Sequence, residues 1–288
     1  MSDFLTQGEA ERPAWSGYWW PMFTSEERQD YRNLYDDDGP LDKYDRYCVA
    51  LGLNNPRSKE FERWRHWSDS RMEQATGYKA FWWGHCNGWA AASVLEAEPT
   101  QEKTRKGIRF GVGDQKGLLT VCHNGDPVDL IRKLGPNEAH LFHATVLQSI
   151  GKDKRGLIID TKLDPIDPKT KEPVREVWNY PAYKYECDYL TASTPGTWDV
   201  ILKLWFADDA VQPDHVGTQN WPTDNEPKIY TYRINGDNQN PKSGTWTGKS
   251  ASDHPDLMWR PQPLSVQNAA EQRDPGSSQT NFHPALRS

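Results

Sequence analysis

The residues best placed to do chemistry lie in Trp82-Trp83-Gly84-His85-Cys86-Asn87-Gly88-Trp89-Ala90-Ala91-Ala92-Ser93. An irregular, glycine-bearing approach leads into an alanine-rich run, which predicts a helix starting at or just after Cys86 and ending before Pro99. At the first turn of a helix a thiol meets partial positive charge and unpaired N–H groups, which lower its pKa from an ordinary value near 8.5 and make it a nucleophile. The same N–H groups can stabilise the oxyanion of an acyl-transfer intermediate, and Gly84 and Gly88 would leave room for a substrate backbone. The competing reading makes Cys86 a small buried hydrophobe among Trp82, Trp83 and Trp89.

A cysteine nucleophile needs a base, and the base an orienting group. His140 and His143 lie three residues apart on a helical run from Pro136 to Ile150 and so share a face, and Asp160 closes the apolar strand that follows. The order Cys86, His143, Asp160 suits acyl transfer, with His143 withdrawing the thiol proton and Asp160 fixing its tautomer. His140 is the alternative base and Asn179 the alternative orienting group. His85, adjacent to Cys86, points away from it and reads as a substrate-side or structural residue. No metal site is assigned: His85-Cys86, Cys122-His123 and the His140/His143 pair do not match the usual zinc frames. Asp36-Asp37-Asp38-Gly39 lacks the alternating ligands of a Ca²⁺ loop.

These residues have to be held by a fold built largely from aromatics. The chain has 288 residues, 14 Trp and 12 Tyr among them, and a net charge of −7 from 34 basic and 41 acidic residues. Large rings can build a core with few aliphatics, and the acidic balance speaks against a nucleic-acid surface. No stretch has the length of a membrane span. The four cysteines are too sparse for a disulfide scaffold. Met1 to Arg12 lacks the pattern of a secretory signal, so the chain stays in the cytoplasm, leaves by another route, or is a mature form.

Apolar residues at helical spacing run from Leu41 to Leu51, and Phe61, Trp64 and Trp67 begin a second stripe; both are expected to face the core. Ile108 to Val112 reads as a strand and Asp114 as the cap of a helix ending near Gly125. Val177–Tyr189, Trp198–Phe206 and Lys228–Ile234 read as strands of an antiparallel meander. The expectation is an α+β protein with a flexible N-terminus over residues 1–14, one domain over 15–263 and a disordered tail over 264–288.

Gly84 to Ser93, together with Val177-Trp178-Asn179-Tyr180-Pro181-Ala182-Tyr183-Lys184-Tyr185, resembles the transglutaminase elicitor family of oomycete plant pathogens and their bacterial relatives. Further matching stretches are Gly39 to Asp45, Phe142-His143, Ile158 to Asp160, and Ser243 to Gly248 leading into His254 to Trp259. The resemblance implies a papain- or transglutaminase-like arrangement, in which N-terminal helices include one carrying the nucleophile and an antiparallel sheet follows. It implies an enzyme whose Cys86 attacks the carboxamide of protein-bound glutamine, releases ammonia and passes the acyl group to a lysine amine. Water as acceptor would make the same site an amidase, peptidase or deamidase. Trp83, His85, Trp89, Trp178 and Asn179 are the expected substrate-side residues. The chemistry itself requires no cofactor, and Ca²⁺ dependence stays open. The partners are proteins with accessible Gln and Lys. Val177 to Tyr185 matches the surface fragment that plants recognise in oomycete members, departing from it at Tyr180 and Ala182. A non-catalytic, carbohydrate-binding module is the rival class, and it requires exposed indoles and an inert Cys86.

Overall fold

The computed structural model describes residues 5–22, 31–65, 83–161, 177–222 and 226–262. In chain order its elements are β1 (Gln7–Glu9), α1 (Pro40–Ala50), α2 (Ser58–Arg65), α3 (Cys86–Leu95), β2 (Lys103–Arg105), β3 (Ile108–Phe110), α4 (Val112–His123), β4 (Val128–Lys133) and α5 (Ala139–Val146). A π-helical turn, Leu147–Lys152, extends α5. Then come β5 (Leu157–Asp160), β6 (Asn179–Thr191), β7 (Thr197–Ala207), β8 (Asn220–Trp221), β9 (Lys228–Gly236), β10 (Pro241–Trp246) and β11 (Leu257–Pro261).

Helices and sheet combine as an α+β fold. The main sheet runs β10-β9-β7-β6-β5-β11-β4, with β1 added on β6 and β8 on β7. The expected meander is there as β6, β7, β9 and β10, every pair antiparallel. Strands β6 and β7 bury alternate residues because their outer face carries Lys184, Glu186 and Lys203, whereas the four residues of β5 are buried on both faces. On one side α5 closes a core of rings. Phe142 meets Tyr230 and Trp246 with ring centroids 5.1 Å apart and Tyr232 at 5.9 Å. On the other side α3 brings Trp89 and Ala90 to Ala92 onto Ile158 and Tyr183.

Two local rules are visible in the helices. The Gly111 N–H donates to Asp114 Oδ2 at 2.7 Å, so Asp114 does cap α4, but from the third helical position: the strand ends at Phe110 and the helix already starts at Val112. The Asp45 carboxylate of α1 accepts the Ser58 and Lys59 N–H groups at 2.9 and 3.0 Å, satisfying the first turn of α2 from outside.

Some expectations need correcting. Gln7 to Glu9 pair with Glu186 to Lys184, and Ala10 and Ala14 are buried, so this part of the N-terminus is structured; the backbone groups of β6 beyond the end of β5 recruit it. Trp64 is 76% exposed and Leu51 37%, so neither stripe is wholly core. α2 is too short to bury more than Glu62 and the cap at Ser58. Trp67 and residues 264–288 lie outside the described residues.

Candidate active site

Cys86 is the first residue of α3, as the alanine-rich run predicts. Its helix is fixed at that end by the Trp19 carbonyl, which accepts the His85 N–H at 2.7 Å, and by Gly88, whose Cβ would stand 2.3 Å from the Thr120 carbonyl of α4. A Cβ on Gly84 would strike the Trp19 ring at 2.5 Å. Both glycines therefore admit the protein's own atoms, not a substrate backbone.

The thiol is 8% exposed. Asn179 Nδ2 donates to Sγ at 3.6 Å, and the thiol donates toward the Val177 carbonyl at 3.8 Å. Asn179 is itself held: Trp259 Nε1 donates to its Oδ1 at 2.7 Å, and β-pairing sets it opposite Asp160. Asp160, 1% exposed, accepts the Trp178 N–H at 3.0 Å, which fixes the chain just before Asn179. Three strands, β5, β6 and β11, thus converge on the sulfur.

The resting thiol is not the activated thiolate that its helix position predicts. Burial pushes its pKa up to about 11, the Asp209 carboxylate adds to that, and the backbone and side-chain donors of Asn179 only partly oppose it. A helix N-terminus offers about half a unit of positive charge, which is less than the cost of charging a fully enclosed sulfur.

His143 lies elsewhere. It is wholly buried, Nε2 meets the Asn238 carbonyl at 2.6 Å and Nδ1 the Tyr232 hydroxyl at 2.8 Å, with the Tyr189 hydroxyl 3.3 Å from Nε2. Tyr189 is ten residues along β6 from Asn179, roughly 30 Å at the strand rise. The structure therefore does not bring His143 to Cys86. His140, on the same helix, has its backbone against Gly244 of β10 and is equally remote. Burial lowers the His143 pKa to about 4 despite the Asn238 carbonyl, so the ring is neutral. Among the described residues no imidazole hydrogen-bonds to Sγ; His66 falls outside them.

The other expected site residues divide in two. Trp178 lies in the chain between Val177 and Asn179, the two residues that touch Sγ, with its ring 6.4 Å from that of Trp19, and Trp83 is 42% exposed with its carbonyl bonded to the Met22 N–H. Trp89, by contrast, is fully buried against Gly17 and belongs to the core, where it cannot meet substrate. His85 Nε2 meets Glu62 Oε1 at 2.7 Å, a pair buried at the N-cap. The segment Asn179 to Tyr185 is an internal strand with Ala182 and Tyr185 inaccessible, so it does not form the surface fragment that the resemblance implies.

The acidic run is engaged by cations: Asp37 pairs with Lys59, and Asp38 with Arg46 and Lys43. Among the described residues no group of three or more His, Cys, Asp or Glu could hold a metal ion, and no helix is long and apolar enough to cross a membrane.

Trp259, Tyr180 and Asp209 escape the sequence reading of the site. Trp259 comes from the last described strand, whose contact with Asn179 is a matter of sheet order. Asp209 follows β7, is 2% exposed and leaves Oδ2 without a hydrogen-bond partner among the described residues.

The resemblance seen in the sequence is borne out by comparison. The transglutaminase elicitor family model matches residues 65–134, a stretch that contains Cys86, α3 and α4. A search of curated proteins gave no match. Among solved structures, the GP42 transglutaminase from Phytophthora sojae matches with a TM-score of 0.64 and 18% identity, over 92% of this chain and 86% of that one. At that identity the structural likeness shows the fold alone. The α+β architecture is that of the GP42 transglutaminase, and the segment around Cys86 carries the sequence pattern of the transglutaminase elicitor family.

Proposed function

We propose that the protein is a protein-glutamine γ-glutamyltransferase in which Cys86 is the nucleophile, and that the described conformation is its closed resting form. The observation that carries this reading is the three-part support of the sulfur: first residue of α3, donor from Asn179, and Asn179 locked by Trp259. A buried thiol used only for packing needs no amide aimed at it and no indole to aim the amide.

In this reading the Cys86 sulfur attacks the carboxamide carbon of a peptide-bound glutamine, displacing the Val177 carbonyl from its side. The tetrahedral oxyanion is met by N–H groups at the start of α3 and by Asn179 Nδ2. Collapse expels the nitrogen as ammonia and leaves a thioester. A lysine amine then attacks the thioester carbonyl, and the thiol is released as the isopeptide forms. The burial of Cys86 restricts water at the sulfur, which favours the amine as acceptor.

The test is incorporation of a labelled primary amine into a glutamine-bearing protein, with ammonia followed in parallel. The expected result is amine-dependent labelling that vanishes in Cys86→Ala. Ammonia release with no labelling would assign hydrolysis; labelling by Cys86→Ala would remove the cysteine from the reaction.

A further inference from the structure

Strand β4 ends the main sheet, and among the described residues no strand pairs with its outer side. Of its six residues all but Leu130 are exposed, Ile131 to 53%. The Leu134 N–H donates to the Asp256 carbonyl at 2.7 Å; bonded and unbonded pairs alternate along an antiparallel ladder, so Ile131–Trp259 and Lys133–Leu257 are unbonded pairs. The N–H and C=O groups of Ile131 and Lys133 therefore point to the open edge, where the Arg132 guanidinium donates to the Ile131 carbonyl at 3.1 Å. Residues directly opposite share a face, so Ile131 and Lys133 lie beside the half-buried Trp259 and Leu257 on the side of the sheet that carries α3. Leu130 and Met258 alternate to the other face and pack with the core of rings. From the shelf made by Ile131 and Trp259, Trp259 Nε1 reaches Asn179 Oδ1 at 2.7 Å, and Asn179 reaches the sulfur. An apolar path thus runs from the sheet edge to the Cys86 site.

We propose that this edge and shelf are where the substrate protein docks: an extended segment adds a strand to β4, seats an apolar side chain on Ile131 and Trp259, and sets an acidic one beside Lys133. The link to a glutamine rests on Cys86 being the nucleophile. Continuity with the site argues for this occupant, because a chain docked on the shelf is led through Trp259 and Asn179 toward the sulfur. Charge argues for it as well. Arg132 and Lys133 are exposed and form no ion pair among the described residues, whereas Asp129 at the other end of the strand is taken by Arg155 and Arg260. The edge is therefore locally basic on a chain whose net charge is −7. The reach also fits. A docked strand would lie four strand spacings from Asn179, roughly 19 Å, which about six residues of extended chain span. Main-chain hydrogen bonds to the edge supply affinity, and the positions facing Ile131 and Lys133 supply specificity.

The test is binding of fluorescein-labelled peptides to Cys86→Ala, with KM for amine incorporation measured on the wild type. Two long peptides carry a glutamine with the segment Asp-Thr-Val-Thr-Asp about six residues before or after it, and a blocked Gln-Gly dipeptide is too short to reach β4. One long peptide should bind, with a KM roughly tenfold or more below that of the dipeptide. Ile131→Pro removes the outward N–H and the shelf side chain without touching a ladder bond, and should weaken binding about tenfold. Lys133→Glu should weaken it similarly, and a peptide with Lys in place of Asp should restore it; if Ile131→Pro fails to fold, this charge exchange decides. Long peptides that bind no better than the dipeptide, or binding indifferent to the variants, would overturn the proposal. So would a wild-type dimer that either variant dissociates in sedimentation, since the edge would then belong to a second copy of the chain. Peptide binding with a working charge exchange, but no amine incorporation by the wild type, would keep the docking surface and overturn the transglutaminase reading instead.

Discussion

Strand β6 carries a buried polar cluster at each end, and the two are built on opposite principles. At its far end His143, Tyr189, Tyr232 and the Asn238 carbonyl form a set in which both imidazole nitrogens are satisfied at 2.6 and 2.8 Å. At its beginning, Cys86 holds soft contacts of 3.6 and 3.8 Å, and the buried Asp209 leaves Oδ2 unbonded among the described residues. A closed network fixes structure, because nothing can be added to it; an open one keeps capacity for a proton or a substrate atom. Residue types and chain order pair the cysteine and the histidine as nucleophile and base, whereas the geometry puts them in separate clusters.

Substitutions can break the contrast. Cys86→Ala should have the largest effect, lowering amine incorporation by on the order of 10³-fold or more, with urea unfolding changed by only about 1 kcal/mol. Asn179→Ala should come next. Loss of a donor to sulfur should cut turnover roughly 10- to 100-fold and slow alkylation of Cys86 by iodoacetamide at a given pH, since a donor that favours the thiolate is gone.

His143→Phe tests the opposite end. It orphans the Tyr232 hydroxyl and the Asn238 carbonyl, so stability should fall by about 2–4 kcal/mol in urea unfolding, while kcat of the folded enzyme stays within about twofold. A large kcat loss in a folded His143→Phe protein would contradict the separation of the two clusters. The pH dependence has a definite sign. The folded His143 pKa, about 4, lies below the ordinary 6.5, so the unfolded chain binds the proton first and stability falls as pH drops through that window. The contribution is on the order of 3 kcal/mol, and that slope should be missing from His143→Phe. Trp259→Phe should have the smallest effect, a loss of a few-fold in kcat, because it frees Asn179 without removing it.

Much of this was legible in the sequence for local reasons. The alanine run placed Cys86 at a helix start, Asp114 announced the cap of α4, and β-branched and aromatic runs marked β6, β7 and β9. Asn179 was read as the alternative group to orient an imidazole, and its amide instead donates to the sulfur itself. What stayed hidden depends on sheet order. Strand β11 lies between β5 and β4, and only that arrangement delivers Trp259 to Asn179. The shared helical face of His140 and His143 was a sound local inference, yet α5 turns that region toward β9 and β10, away from α3. Likewise, the helix N-terminus suggested a lowered thiol pKa, but its enclosure is set by distant segments around Val177 and Asp209.

The most direct test of the account is the intact mass of enzyme mixed with a glutamine peptide, without amine, and quenched in acid within the first turnover. The account predicts an acyl adduct, with ammonia lost, that maps to Cys86 and is discharged by added primary amine. No adduct in a protein that does turn over substrate, or an adduct at Cys48, Cys122 or Cys187, would contradict it.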